Sequence, residues 1–306
     1  APTPAGVGET SADRRAKHTI EVPIMLKRTL TAALAATGLV LTGVASAQQT
    51  LTFAVNEGVT YRGNDNARQN YKLIADDLAK QLKVKVNVEI VTDYAALEKG
   101  LAAKAYDLAF IHPTHIALAP VKRGEYTLAA VSKAHTGYKA SFLSKVNAPA
   151  ATPADLGKTL SSGSKPVASP DANSITAWLI RATLRDAAAA AKTTTPPLKY
   201  TRYQESIPYM VENGFVDVGA TASEAIIRDW TAAGGKVIAS SRAVPIKNLI
   251  VANSLGKEQL DTIRNYFVDM ANSADGQAKL EKIGLKQGFI TYDQNNYVAI
   301  AAWLGL

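Results

Sequence analysis

The sequence predicts an α/β protein built as a two-lobed clamshell, in which each lobe is a central, mostly parallel sheet flanked by helices. Apolar strands alternate with amphipathic helices through short connections, a pattern typical of parallel sheets covered by helices. The alternation begins again after two extended segments, 126–132 and 138–146, which indicates a second unit inserted into the first. Segments near 131–140 and 241–250 are expected to cross between the lobes. The predicted boundaries are residues 48–133 plus 247–306 for lobe 1 and residues 134–246 for lobe 2.

Local patterns justify the elements of lobe 1. Tyr71, Ile74 and Leu78 recur on one face of the first helix, whereas residues 84–90 alternate with period two, as a half-buried strand does. Asp93 is expected to cap the second helix. The predicted strands lie at 50–56, 84–90, 107–111 and 246–252, and the helices at 67–82, after Asp93, after Pro113, and at 257–273, 275–283 and 293–304.

Lobe 2 is organised around a tight turn that runs directly into a helix. Pro170 and Asp171 favour the turn, and Asn173 or Ser174 can cap the helix, which continues through an alanine run. The other predicted elements of this lobe are a helix from 153, strands at 166–168, 198–203, 216–219 and 236–240, and helices near 207 and at 221–233.

The first 47 residues are expected to lie outside the folded protein. A basic start at Met25, an apolar run at 30–44 and the small residues Ala45-Ser46-Ala47 are typical of a secretory signal peptide at 25–47, cleaved before Gln48. The apolar run is shorter than the ~20 residues of a bilayer span. Residues 1–24 are interpreted as a disordered upstream extension. Without a cysteine at the cleavage point, the mature protein is expected to be free in a periplasm, not lipid-anchored.

Composition excludes several classes of site. The 306 residues include no cysteine, which rules out disulfides, thiolate nucleophiles and cysteine-ligated metals. The net charge of +8 leaves nucleic acid, a membrane surface or a small anion as partners. Because Lys and Arg do not cluster beyond pairs, we expect no nucleic-acid groove. Gly157-Lys158-Thr159 resembles the tail of a phosphate-binding P-loop, but Thr152 stands where the motif needs its first glycine.

Helix beginnings at strand ends are the candidate binding groups. The helix after Ser174 starts with unpaired backbone amides and a positive dipole end, and Ser174 and Thr176 add hydroxyl donors. The turn His112-Pro113-Thr114-His115 and the pair Asp93-Tyr94 offer similar helix beginnings from lobe 1. Several such beginnings at one cleft would bind an anion, whereas a lone one is more often an ordinary capped surface helix.

Several short motifs occur in a defined order along the mature chain. They are Tyr71 early in the first helix, Asp93-Tyr94, Asp107-Leu108-Ala109-Phe110, the segment DANSITA from Asp171 to Ala177, and Val216-Asp217-Val218 followed by Glu224. In this order they resemble the phosphate/phosphite/phosphonate-binding family of periplasmic substrate-binding proteins of ABC importers. The resemblance implies a type II-like periplasmic-binding-protein clamshell that captures a small oxyanion, needs no cofactor or metal, works as a monomer and delivers its ligand to an inner-membrane ABC permease.

The resemblance also implies which residues contact the ligand. They are Tyr71, Tyr94, His112, Thr114, Asn173, Ser174, Ile175, Thr176, Tyr203, Glu224 and Lys247. Four of them depart from the family pattern. His112 stands where the family has a glycine, and Ile175 replaces a hydroxyl residue. Tyr203 replaces the histidine of aminophosphonate binders, and Lys247 replaces an acid that would hold an amine. A lysine there favours a phosphate-like or organic anion over 2-aminoethylphosphonate.

Other interpretations remain open at this point. Tyr71 and Tyr94 could be core residues, Glu224 a surface acid and Lys247 a solvated charge at a strand edge. His112, His115 and His135 could bind a metal, although a structural zinc site usually needs four ligands. As functions, a ligand-sensing partner of a membrane histidine kinase uses the same clamshell, and an exported hydrolase could draw its catalytic residues from distant parts of the chain.

Overall fold

The computed structural model describes residues 49–58, 64–145, 152–161 and 165–306. The predicted signal peptide and the extension before it lie outside the described residues. In chain order the elements are β1 (Thr50–Asn56), α1 (Asn64–Leu82), β2 (Lys85–Ile90), α2 (Tyr94–Ala102), β3 (Leu108–Ile111), α3 (Thr114–Lys122), β4 (Tyr126–Ser132), β5 (Ser141–Ser144), α4 (Pro153–Ser161), β6 (Val167–Ser169), α5 (Ile175–Ala191), β7 (Leu198–Tyr200), α6 (Ser206–Glu212), β8 (Val218–Thr221), α7 (Glu224–Ala232), β9 (Lys236–Ser240), β10 (Asn248–Ala252), α8 (Gly256–Asp269), α9 (Ala274–Lys282), β11 (Phe289–Ile290) and α10 (Gln294–Leu304).

The predicted α/β class is confirmed, and the strands form two mixed sheets flanked by helices. The first sheet has the order β11-β4-β10-β3-β1-β2. β1 pairs in parallel with β2 and β3, whereas β10 is antiparallel to both β3 and β4. The reversal follows from the topology, because β10 is the strand by which the chain returns to this sheet. Four of the six strands still run in one direction, so their carboxyl ends meet at one edge.

The second sheet has the order β7-β6-β8-β5-β9. β6 is parallel to β7 and β8, whereas β5, the first strand after the chain leaves the first sheet, is antiparallel to β8 and β9. α5 covers this sheet and crosses α4 at very short distance. A Cβ on Gly157 of α4 would lie 2.2 Å from the carbonyl oxygen of Ala187, so only glycine fits. The alanine run of α5 provides this close approach, and the P-loop-like Gly157 is a packing residue inside α4.

Two chain segments connect the sheets, at the positions where crossings were predicted. They run antiparallel to each other and share backbone hydrogen bonds. Tyr138 and Val244 exchange bonds of 3.1 and 2.9 Å, and the amide of Ile246 donates to the carbonyl of His135 at 2.9 Å. A pair of hydrogen-bonded strands of this kind can flex as one hinge.

The C-terminal helix α10 joins layers that belong to different sheets. It packs against α3 beside the first sheet and against α5 beside the second. The indole of Trp303 donates to the carboxylate of Asp186 on α5 at 2.8 Å. Among the described residues, no helix combines the length and apolar character that a membrane span requires.

Candidate functional site

A cavity of about 460 Å³ lies at the carboxyl ends of strands from both sheets. The first sheet's side is lined by residues that follow β1, begin α2 or follow β3, namely Gly58, Tyr94, His112 and Pro113. The second sheet's side contributes the turn residues Asp171, Asn173 and Ser174, the first two residues of α5 (Ile175 and Thr176), and Gln204 after β7. Tyr138 reaches it from a crossing segment. This is the position at which open α/β sheets bind ligands.

A second cavity of similar volume has a different character. It lies beside α1, α8 and α9 and is lined by Asp77, Lys80, Tyr266 and Asp275, among others. The carboxylates of Asp77 and Asp275 both accept hydrogen bonds from Lys279, and the Tyr266 hydroxyl donates to Asp77 at 3.0 Å. These ion pairs satisfy one another and hold helices of one lobe together. We therefore take the cavity that both sheets line as the candidate site.

The turn before α5 satisfies most of its own polar groups. The Asp171 carboxylate accepts from the amide of Asn173 at 2.9 Å, and the Asp171 carbonyl accepts from the amide of Ser174 at 3.0 Å. The Ser174 hydroxyl donates to that same carbonyl at 2.7 Å and accepts from the Ala177 amide at 3.1 Å. Ser174 was predicted to offer its hydroxyl to a ligand. In the structure Ser174 is the N-cap of α5, and its hydroxyl proton is already donated to the Asp171 carbonyl.

Two amides at the start of α5 remain available. Within the described chain, neither the amide of Ile175 nor that of Thr176 donates to a protein acceptor, because the bonds at this turn end at Ser174 and resume at Ala177. The Thr176 hydroxyl shares a 2.7 Å hydrogen bond with the hydroxyl of Tyr138. The side chain of Ile175 is buried in the core. Position 175 therefore offers a backbone N–H but no side-chain hydroxyl.

Arg181 holds this turn from behind. Its guanidinium donates to the carbonyl of Ala172 at 2.9 Å and lies 4.5 Å from the ring centre of Trp178. Trp178 in turn stacks on His115 of α3, with ring centres 6.0 Å apart. The turn is thereby tied to the other sheet's helices. Arg181 is a support for the site and does not line the cavity.

His112 presents a neutral imidazole to the cavity. Burial lowers its pKa to about 4, and the nearby charge of Lys247 acts in the same direction. The ring nitrogen Nδ1 lies 3.1 Å from the carbonyl oxygen of Glu57, so Nδ1 carries the proton and donates. At neutral pH the site therefore receives a polar ring from His112 but no positive charge.

Thr114 does not line the cavity, in contrast to the prediction. It is fully buried, donates its hydroxyl to the carbonyl of Pro245, and accepts from the amide side chain of Asn248 at 3.0 Å. These partners belong to the returning chain, so Thr114 fastens that segment to α3. Pro113 occupies the N-cap position of α3.

Tyr71 lies in the core, where its hydroxyl contacts Glu57, an acid that the prediction did not include. Tyr71 is 1% exposed and packs edge-to-face on Phe53. Its hydroxyl donates to the carboxylate of Glu57, which follows β1. Burial raises the pKa of Glu57, and Tyr71 and the charge of Lys247 oppose this shift. The charge of Lys247 thus acts on both Glu57 and His112. The only sequence signal for Glu57 was an acid directly after an apolar strand.

Tyr203 and Glu224 are not among the residues that line the cavity. Tyr203 is 62% exposed, whereas its neighbour Gln204 lines the cavity and accepts from the Thr221 hydroxyl at 2.7 Å. Glu224 is exposed at the first turn of α7. Gln204, and not Tyr203, lines the cavity, and Gln204 is held by a hydrogen bond to β8, a strand that follows later in the chain. No sequence pattern indicates which of the two neighbours would line the cavity.

The three histidines do not form a metal site. His115 is buried against Trp178, and the imidazole of His135 lies 2.8 Å from the hydroxyl of Ser132. Within the part of the chain that the structure describes, no group of three or more His, Cys, Asp or Glu side chains could hold a metal ion.

Comparison with known proteins gives a family match over most of the chain. The model of a family described as the periplasmic substrate-binding protein of phosphonate ABC transporters matches residues 59–297. No curated protein sequence matches the chain. Among solved structures, PhnD1 from Prochlorococcus marinus in complex with methylphosphonate shares 14% identity and a TM-score of 0.53, over 83% of this chain and 96% of that chain.

Two further structures share the fold. A Xanthomonas citri protein with ATP bound has a TM-score of 0.60 at 13% identity, over 84% of this chain and 97% of that one. A TctC solute-binding protein from Polaromonas has a TM-score of 0.51 at 13% identity, over 84% and 96%. At such identities the similarity shows the fold alone.

Proposed function

Because the chain belongs to the family of periplasmic substrate-binding proteins of phosphonate ABC transporters, we propose that it captures a small oxyanion and delivers it to an inner-membrane ABC permease. The oxyanion would bind between two lobes, lobe 1 (48–133 plus 247–306) and lobe 2 (134–246). The oxyanion is a phosphonate, phosphite or phosphate-like anion. The observation that carries this proposal is the pair of unpaired amides at Ile175 and Thr176, which lie at the start of a 17-residue helix and line a cavity shared by both sheets.

These amides suit an oxyanion for a simple physical reason. A helix start concentrates partial positive charge and N–H donors at one point, without a charged side chain. The hydroxyl pair of Thr176 and Tyr138 lies beside them and can donate or accept. The neutral ring of His112 faces the same cavity from the other lobe. An anion that contacts both groups would connect the lobes.

Binding of this kind needs no cofactor, since all the proposed contacts come from the protein itself. The paired crossing segments would act as the hinge, and a ligand that touches both lobes would stabilise the closed form relative to the open one. The predicted leader sequence supports secretion to the periplasm, where we propose that the protein is free and monomeric. Because family members bind substrates for transport, we propose no catalytic step.

A ligand screen by thermal shift tests the proposal. Methylphosphonate, phosphite, phosphate, sulfate and acetate would be added separately to the mature protein. A ligand at 100 times its dissociation constant stabilises the native state by about 2.7 kcal/mol, which corresponds to a rise of roughly 5–10 °C in Tm for a chain of this size. We expect at least one phosphorus oxyanion to produce such a rise and acetate to produce none. If no phosphorus oxyanion changes Tm, the proposed function is wrong.

A further inference from the structure

We infer that Trp303, Asp186 and Arg242 form a contact behind the hinge that holds the two lobes open, so that these residues lower the affinity for the ligand without touching it. The contact joins α10, which packs beside the first sheet, to α5, which covers the second. The inference rests on the proposed function, because it concerns the closure by which the ligand is captured. It adds residues outside the ligand cavity that set how much of the protein is closed.

Asp186 is the centre of this contact. Its carboxylate accepts a hydrogen bond from the indole N–H of Trp303 at 2.8 Å and forms an ion pair with Arg242 at 3.3 Å. The guanidinium of Arg242 also lies 5.0 Å from a ring centre of Trp303, where a cation is attracted to the aromatic face. From the neighbouring position on α5, Arg185 donates to the backbone carbonyl of Trp303. The last turn of α10 is thus attached to lobe 2 by both its side chain and its backbone.

The two crossing segments lie between this contact and the ligand cavity. Tyr138 on the outgoing segment lines the ligand cavity, and its backbone pairs with Val244 on the returning segment. Arg242 precedes Val244 on that segment and lines a second cavity, of about 210 Å³, together with Asp186 and Trp303. Each of the two cavities is lined by residues from both lobes. The hinge therefore has one such cavity on either side.

A rotation about this hinge changes the two cavities in opposite ways. Ile175 and Asp186 lie on the same helix, about 16 Å apart along its axis at 1.5 Å per residue. Because α5 is continuous between them, the two residues move as parts of one rigid body. A rotation that brings the amide of Ile175 toward His112 across the ligand cavity therefore carries Asp186 away from Trp303.

The ligand cavity has room for such a movement. A four-oxygen anion displaces roughly three waters, on the order of 100 Å³ at about 30 Å³ per water, whereas the cavity measures about 460 Å³. An anion at the amides of Ile175 and Thr176 does not fill the space to His112, so contact with both walls requires the walls to approach. Closure around the ligand breaks the contact at Trp303, and the free energy of that contact opposes binding.

Two substitutions with matched controls test the inference. Asp186→Ala removes the acceptor at the centre of the contact. Its control is Asp229→Ala, which removes an exposed acid that pairs with its neighbour on α7 inside lobe 2. Trp303→Phe keeps a buried ring but removes the N–H donor. Its control is Trp230→Phe, which removes an N–H that donates to a backbone carbonyl of β9 inside the same lobe.

Calorimetric titrations with methylphosphonate, phosphite and phosphate measure the affinity. For an anion that binds the unchanged protein, we expect Asp186→Ala and Trp303→Phe to bind about three- to tenfold more tightly, the size expected of a partly exposed charged contact. The two control variants should bind as the unchanged protein does. A purely structural role would weaken binding or leave it unchanged, because damage to the fold does not favour the closed form. Equal or weaker binding by Asp186→Ala and Trp303→Phe would overturn the inference.

The closed fraction of the ligand-free protein provides a separate measurement. Because the chain has no cysteine, spin labels can be attached at Ala95→Cys and Tyr203→Cys, exposed positions next to residues that line the cavity from opposite sheets. In pulsed EPR, distances across the cavity should shift to shorter values with Asp186→Ala and stay unchanged with Asp229→Ala. An unchanged distribution with Asp186→Ala would contradict the inference. If none of the three anions binds, the proposed function fails, and these ligand-free distances alone decide whether the contact holds the lobes open.

Discussion

The substitution Ile175→Pro removes the backbone N–H of Ile175, one of the two amides proposed to bind the ligand. It changes no charged side chain. Ile175 is the first residue of α5, where proline is well tolerated because the missing N–H makes no helix hydrogen bond. Ser174, the residue before it, has φ −72° and ψ 149°, and this extended conformation is the one required before proline. The variant therefore deletes an N–H donor and keeps the helix.

The expected loss of affinity follows from the kind of bond removed. A hydrogen bond to a charged group contributes about 1.5–3 kcal/mol, which corresponds to a roughly 10- to 150-fold increase in Kd. Because Ile175 is also a buried core residue, replacing its side chain destabilises the fold by itself. Ile175→Ala is the matched control, since it shortens the buried side chain but keeps the amide.

The assay is calorimetric titration of both variants with methylphosphonate, or with whichever phosphorus oxyanion gives the largest thermal shift. Melting curves must first show that both variants are folded at the titration temperature. We expect Ile175→Ala to bind within a few fold of the unchanged protein and Ile175→Pro to bind at least about tenfold more weakly. Equal affinities for the two variants would refute the assignment of this amide to the ligand.

Two further predictions concern the fold that supports the site. Gly157→Ala places a methyl group 2.2 Å from the Ala187 carbonyl oxygen, so we expect α4 and α5 to separate. The free energy of unfolding, measured by urea titration, should fall by about 1–3 kcal/mol. An unchanged urea midpoint would contradict this packing. Burial lowers the pKa of His112 and of His115 to about 4. The unfolded chain therefore binds more protons between about pH 6.5 and pH 4, and stability should fall as the pH decreases through that window, by about 2 kcal/mol per histidine between pH 7 and pH 5. A His112→Gln, His115→Gln variant should lose that part of the slope, and a slope equal to that of the unchanged protein would disprove it.

The sequence alone determined the class of fold and where its main features lie. Strand and helix periods separate residues by two or by three to four positions, so they can be identified within one short segment. The crossings near 131–140 and 241–250 and the cap of α2 by Asp93 were all predicted in this way. The helix beginning after Ser174 was predicted as well, because a capping residue acts on amides only three residues away.

The tertiary structure decided which groups at those positions are free to meet a ligand. The Ser174 hydroxyl has no proton left for a ligand, because the Asp171 carbonyl accepts it. The Thr114 hydroxyl donates to the carbonyl of Pro245, 131 residues later in the chain, and so is not free for a ligand. Gln204 lines the cavity because Thr221 holds it there. A hydrogen-bonding group has a limited number of partners, and distant parts of the chain compete for them. Only the folded molecule shows which groups remain unpaired.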